Sequence, residues 1–79
     1  MHKKSAEQKK QWRVFRRHFG QNLKTIRQAQ GISLDDLSEI TGYSTLTLAK
    51  WEGTRLDIDL QTLFHLAQAL KVPPALLMK

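Results

Sequence analysis

Few side chains in this 79-residue chain could do chemistry: three His, seven acids and thirteen Lys or Arg, with no Cys. Without a thiol there is no disulfide frame, no thiolate zinc site and no Cys nucleophile. His2, His18 and His65 share no metal-ligand spacing, so no metal site is expected. No nucleophile, base and orienting group fall into a recognisable arrangement, and there is no Gly-rich phosphate loop. Asp57 with Asp59 reads as a solvated loop rather than a catalytic carboxylate pair. The chain is therefore expected to be no enzyme and to carry no cofactor.

What remains is charge, and it is unevenly placed. Residues 1–31 hold nine basic side chains and the single acid Glu7, a net of +8, whereas residues 32–79 hold four basic and six acidic groups, a net of −2. A cationic first third on a slightly acidic body suits a polyanion, whose phosphates release counterions on contact. A solvated helix face is the plainer reading of such a run. The longest uncharged apolar stretch, Val72 to Met78, is broken by Pro73 and Pro74 and falls far short of the ~20 residues of a membrane helix. No apolar run of signal-peptide length follows the charged start. A cytoplasmic, nucleoid-associated protein that does not enter membranes is expected.

The elements that must position these groups read as helices. A chain this short makes one domain that buries only about 60% of its unfolded surface, so its core must be compact. Trp12, Phe15, Phe19, Leu23 and Ile26 recur at helical spacing, with a start near Ser5 and Gln8 and a stop at Gly31. Gly20 interrupts this helix at a cost of roughly 1 kcal/mol, which suggests that another backbone packs close there. Ser33 caps a second helix with Asp35 and Asp36 in its first turn and Leu37 and Ile40 as apolar contacts. After the break Thr41-Gly42-Tyr43, Ser44 caps a third helix, Thr45 to about Glu52, with Leu48 and Trp51 inward. A loop to Asp59 precedes a fourth helix striped by Leu60, Leu63, Phe64, Ala67 and Leu70, with His65 on its exposed side. Pro73 and Pro74 end it, leaving a turn or two at Ala75–Met78. No strand pattern survives.

Two short helices about a Gly-containing turn, on a basic chain, form the arrangement that sets one helix in a major groove. The residues also resemble the Cro/C1-type (XRE-like) helix-turn-helix family, in Phe19-Gly-Gln-Asn-Leu-Lys-Thr-Ile-Arg-Gln-Ala-Gln-Gly-Ile-Ser, Asp36-Leu-Ser-Glu-Ile-Thr-Gly-Tyr-Ser, Leu48-Ala-Lys-Trp-Glu-Gly and Leu63-Phe-His-Leu-Ala-Gln-Ala-Leu-Lys-Val. The ordered set runs in one register from about Phe19 to Met78. The resemblance implies an all-α fold, a compact five-helix lambda-repressor-like DNA-binding domain with an extended basic first helix. Residues 1–17 are then a basic extension and residues 18–79 the domain.

On that resemblance the base-reading positions fall on Ser44, Thr45, Leu46 and Lys50. Thr45 suits base edges, Leu46 a thymine methyl, and Lys50 guanine acceptors or a phosphate. Phosphate contacts are expected of the backbone at Ser33 and Leu34 and of Thr47 and Arg55, and, outside the family pattern, of Arg16 and Arg17 in the basic extension. A Leu at position 34, where the family commonly has a Gln, removes one side-chain contact to the DNA backbone. Arg27 and Glu52 fall where the family keeps an interior ion pair.

The function implied is sequence-specific binding of double-stranded DNA by a homodimeric transcriptional repressor through residues 44–52. An antitoxin or a restriction-modification controller acting on its own operon remains open, with a toxin or effector as protein partner. So does a protein-interaction module that has lost DNA binding. The extension around Trp12 and Phe15 reads first as a lengthening of the helix that packs on its neighbours.

Overall fold

The computed structural model describes the backbone of residues 6–53 and 58–79, with the side chains of Val14 and of residues 17–53 and 58–79. Five helices follow one another: α1 (Ala6–Ala29), α2 (Leu34–Thr41), α3 (Thr45–Glu52), α4 (Leu60–Ala69) and α5 (Pro74–Leu77). The expected start near Ser5, the side chains of Trp12, Phe15 and Arg16, and all of Arg55 and Asp57 lie outside what the structure describes.

Each boundary has a local cause. The Gly31 N–H donates to the Gln28 carbonyl and the Ile32 N–H to the Arg27 carbonyl, at 3.0 and 3.1 Å, around a left-handed Gly31 at φ 70. This paired closure ends α1 while satisfying its last carbonyls. Lys71 (φ 57) ends α4 in the same way, with the Val72 N–H donating to the Ala67 carbonyl at 3.0 Å. A Lys in that conformation is uncommon, and no glycine marks the place in the sequence. Pro73 and Pro74, which would halt the preceding helix, instead open α5.

Helices of eight, eight and ten residues are too short to persist alone, so the core decides the fold. Every helix contributes to it: Phe19 and Leu23 from α1, Leu37 from α2, Leu48 and Trp51 from α3, Leu63, Leu66 and Ala67 from α4, and Leu77 from α5, with Leu70 at the α4 cap. α1 packs on α3 and α5, α2 on α3 and α4, and α4 on α5. Asn22 ties α5 to α1 by donating to the Leu77 and Lys79 carbonyls at 3.2 and 2.8 Å.

Two stripes differ from expectation. The buried face of α4 is Leu63, Leu66, Ala67 and Leu70, the i, i+3, i+4, i+7 set, whereas Leu60 and Phe64 are 78% and 52% exposed. Phe64 lies about 100° around the helix from Leu63, too far to share its face. Ile40 is likewise exposed, because Leu37 and Thr41 fill the inner face of α2.

Asp59 caps α4 by accepting from the Thr62 N–H at 2.8 Å. Hydrogen bonds from Thr62, its side chain first and its backbone second, hold this carboxyl below the usual carboxylate range. The folded pKa is therefore lower than the unfolded one. The cap's contribution is complete above the unfolded value and is lost as pH falls through the folded value. Asp59→Asn keeps an acceptor at the cap and is expected to remove this part of the acid sensitivity. Urea titrations of both proteins from about pH 7 to pH 3 check it: identical pH slopes would show that Asp59 contributes none.

Candidate nucleic-acid interface

The turn between α2 and α3 sets how one helix stands on the other. Ser33 caps α2 by accepting from the Asp36 N–H at 3.0 Å, and the Asp36 carboxylate accepts from the Ser33 N–H at 3.1 Å. At the far end the Gly42 N–H reaches the Ser38 carbonyl at 2.8 Å with Gly42 left-handed at φ 84. The Ser38 hydroxyl donates to the Tyr43 carbonyl at 2.6 Å, and the buried Thr41 hydroxyl donates to the Leu37 carbonyl and accepts from the Tyr43 N–H. The turn's polar backbone is thus satisfied locally, which fixes its geometry.

Tyr43 then pins the turn to the body. Its ring meets Trp51 of α3 edge-on at 5.0 Å and His65 of α4 at 5.4 Å, and its hydroxyl lies 3.2 Å from His65 Nδ1. His65, expected on the exposed side of its helix, is half-buried in this contact. The sequence offers no signal for the pairing, since its partners lie 22 residues apart.

α3 presents a defined face. With about 100° per residue, Thr45, Leu46, Ala49 and Lys50 span an arc of about 140° opposite Leu48 and Trp51. Leu46 is 68% exposed, Ala49 and Lys50 are exposed, and Thr45 is half-buried. Ser44, at the head of the helix, accepts from the Thr47 N–H at 3.1 Å and donates its own proton to the Thr47 hydroxyl oxygen at 2.8 Å.

Two contacts hold α3 against α1. Arg27 donates from Nε to Glu52 Oε2 at 2.6 Å and from a terminal nitrogen to Oε1 at 3.0 Å, and its other terminal nitrogen donates to the Ile32 carbonyl at 2.8 Å. Both side chains are nearly buried, 10% and 7% exposed. The Glu52 hydrogen bond is the first cause that raises the Arg27 pKa, so the guanidinium stays charged. About two turns away along α1, Gly20 has no room for a side chain: a Cβ there would sit 2.5, 2.8 and 2.9 Å from the carbonyl oxygens of Gly53, Glu52 and Trp51. The close backbone approach expected at Gly20 is this one.

Of the positions implied for phosphate, Ser33 has its N–H taken by Asp36, and the Leu34 side chain packs against the core. The Leu34 N–H opens α2, where a helix has no acceptor of its own. Asp35 and Asp36 stand exposed in the same turn and work against an anion there. Arg17 and Lys24 are exposed on α1.

A family model described as helix-turn-helix matches residues 23–77. This chain belongs to the helix-turn-helix family, of the Cro/C1 type. Among solved structures, this helix-turn-helix chain is similar to the restriction-modification controller protein C.AhdI from Aeromonas hydrophila. That match has 30% identity and a TM-score of 0.72, over 77% of this chain and 92% of that one. It is also similar to the DNA-binding domain of BldD, at 25% identity and a TM-score of 0.77, over 85% and 97%. No curated protein matches it. The five-helix all-α fold implied by the resemblance is the one observed.

Proposed function

We propose that this helix-turn-helix protein binds double-stranded DNA sequence-specifically and regulates transcription by occupying an operator. The observation that carries this reading is the outward arc of α3, rigidly mounted by Tyr43, Gly20 and the Arg27–Glu52 pair. Thr45, Leu46 and Lys50 are its base readers, while Ser44 serves first as the cap that starts the helix. The Leu34 N–H, Thr47 and Arg17 are the candidates for the flanking phosphates, together with Arg16 and Arg55. Residues 1–17 add a sequence-independent contact to a domain at 18–79. No described helix is long and apolar enough to cross a membrane, and a cytoplasmic site of action follows from DNA as partner.

Binding to genomic fragments across salt tests this. A preferred site and a steep salt slope are expected; no binding at low salt would overturn the reading and leave an interaction module. Neutralising Lys9, Lys10, Arg13, Arg16 and Arg17 together is expected to weaken all sites alike. It should also flatten the salt slope by up to about 0.9 for each phosphate that these side chains neutralise. Thr45→Ala should instead alter which site is preferred.

The protein acts as a homodimer in this reading, since two recognition helices then meet half-sites one DNA turn apart. α4 carries no charged residue and exposes Leu60 and Phe64 one turn apart. On a chain of net charge +6, uncharged apolar faces, that of α4 and that of the C-terminal residues 75–78 with Leu76 and Met78 exposed, can meet their own copies without like-charge repulsion. Phe64→Glu is expected to convert a dimer to a monomer in sedimentation and to weaken operator binding. A wild-type chain that is monomeric on its operator would sink the dimer. The likeness to C.AhdI, a restriction-modification controller, favours a second reading as a controller of that kind.

A further inference from the structure

The presented face of α3 has its hydrogen-bonding groups at its two edges, Thr45 and Lys50, and apolar side chains between them. Its four residues are Thr45, Leu46, Ala49 and Lys50, and of the side chains that make two-pronged contacts to guanine or adenine only Lys50, at one edge of the arc, is among them. Of the nearby hydroxyls, that of Ser44 is committed: it donates to the Thr47 hydroxyl oxygen and accepts from the Thr47 amide. Leu46 stands 68% exposed on a helix fixed at both ends, and Ala49, one turn on at i+3, is exposed beside it. In the major groove the one base-edge feature that rewards apolar contact is the methyl group at C5 of a pyrimidine.

We propose that α3 reads its half-site chiefly through C5 methyl groups, with Leu46 and Ala49 forming the apolar contact and Ala49 an added specificity position. The inference rests on the DNA-binding reading above and names the kind of site it takes: a half-site with thymine at the positions facing these two residues. The chemistry recognised is the methyl and not the base as a whole. 5-Methylcytosine, which carries the same methyl beside a different hydrogen-bonding group, is therefore accepted there better than cytosine. Lys50 brings an ammonium with three donors to the edge of the arc.

Uracil separates the methyl from the rest of thymine, because it keeps the O4 acceptor and the pairing. With a site selected from random duplexes, each thymine in a half-site is replaced by uracil. The full chain is expected to lose about threefold to tenfold in affinity at each contacted position. At the same positions 5-methylcytosine should bind tighter than cytosine by a similar factor, and Leu46→Ala should make thymine and uracil equivalent at the position it faces. A thermal melt confirms that Leu46→Ala, at an exposed site, is folded. Selective binding that is indifferent to uracil at every position would overturn the methyl readout while leaving the regulator standing. A loss with uracil that 5-methylcytosine does not mirror would show that the methyl counts only in the setting of a thymine–adenine pair, and would overturn recognition of the methyl by itself. Absence of any selective DNA binding would overturn the regulator itself and this inference with it.

Discussion

Gly20→Ala is expected to lower the melting temperature by roughly 10 °C. The added Cβ would meet three backbone carbonyl oxygens at 2.5 to 2.9 Å, and none of them belongs to a side chain that could turn away. Relief requires α1 and the end of α3 to move apart, opening the packing between Phe19, Leu23 and Trp51. Overpacking of this kind costs about 1 to 3 kcal/mol and more when backbone must yield. Alanine's better helix propensity returns only about 1 kcal/mol. Gly31→Ala is the control: its Cβ would meet nothing within 4 Å, so it carries only the left-handed strain at φ 70, about 1 to 2 kcal/mol. Calorimetry ranks the two. A Gly20→Ala protein as stable as the parent would mean that the helices do not approach this closely.

Glu52→Ala is expected to cost about 3 to 5 kcal/mol, because it leaves the Arg27 guanidinium charged, buried and short of both its carboxylate bonds. The effect should persist in high salt, which screens exposed pairs far more than buried ones. Arg27→Met adds a second loss, since it also strips the Ile32 carbonyl of its donor. Combining Arg27→Met with Glu52→Leu should recover much of the single-variant loss, as apolar replacements of a buried pair often do. If the pair's role is to hold the recognition helix at its angle, the double variant will melt near the parent yet bind its operator less well. Guanidinium titrations alongside binding measurements separate the two; an unchanged Glu52→Ala melt would remove the pair from any structural role.

Much of this frame is legible from single residues. Ser33, Ser44, Gly31 and Gly42 each set a helix end through local hydrogen bonds, and such signals survive in the sequence because cause and effect lie within a few positions. Gly20 is legible for a different reason: a glycine in mid-helix has a cost that something must offset. The α4 stripe misleads because LQTLFHLAQA carries apolar residues on two overlapping faces, and only the neighbours decide which is buried. The Tyr43–His65 contact and the Asn22 clasp on α5 leave no signal at all, since their partners are distant in sequence. Within the candidate site, the outward residues of α3 follow from the helical period. That the Ser44 hydroxyl spends itself on Thr47 does not.

The separation of faces on α3 has an evolutionary consequence. Its outward residues share no position with Leu48 and Trp51, and the eight-residue helix has no independent existence to carry elsewhere. What can be inherited or exchanged is therefore a set of four side chains on a constant scaffold. On the proposed DNA-reading role of this face, lineages of this chain could drift from one operator to another by substitutions at Thr45, Leu46, Ala49 and Lys50 while the interior stays untouched.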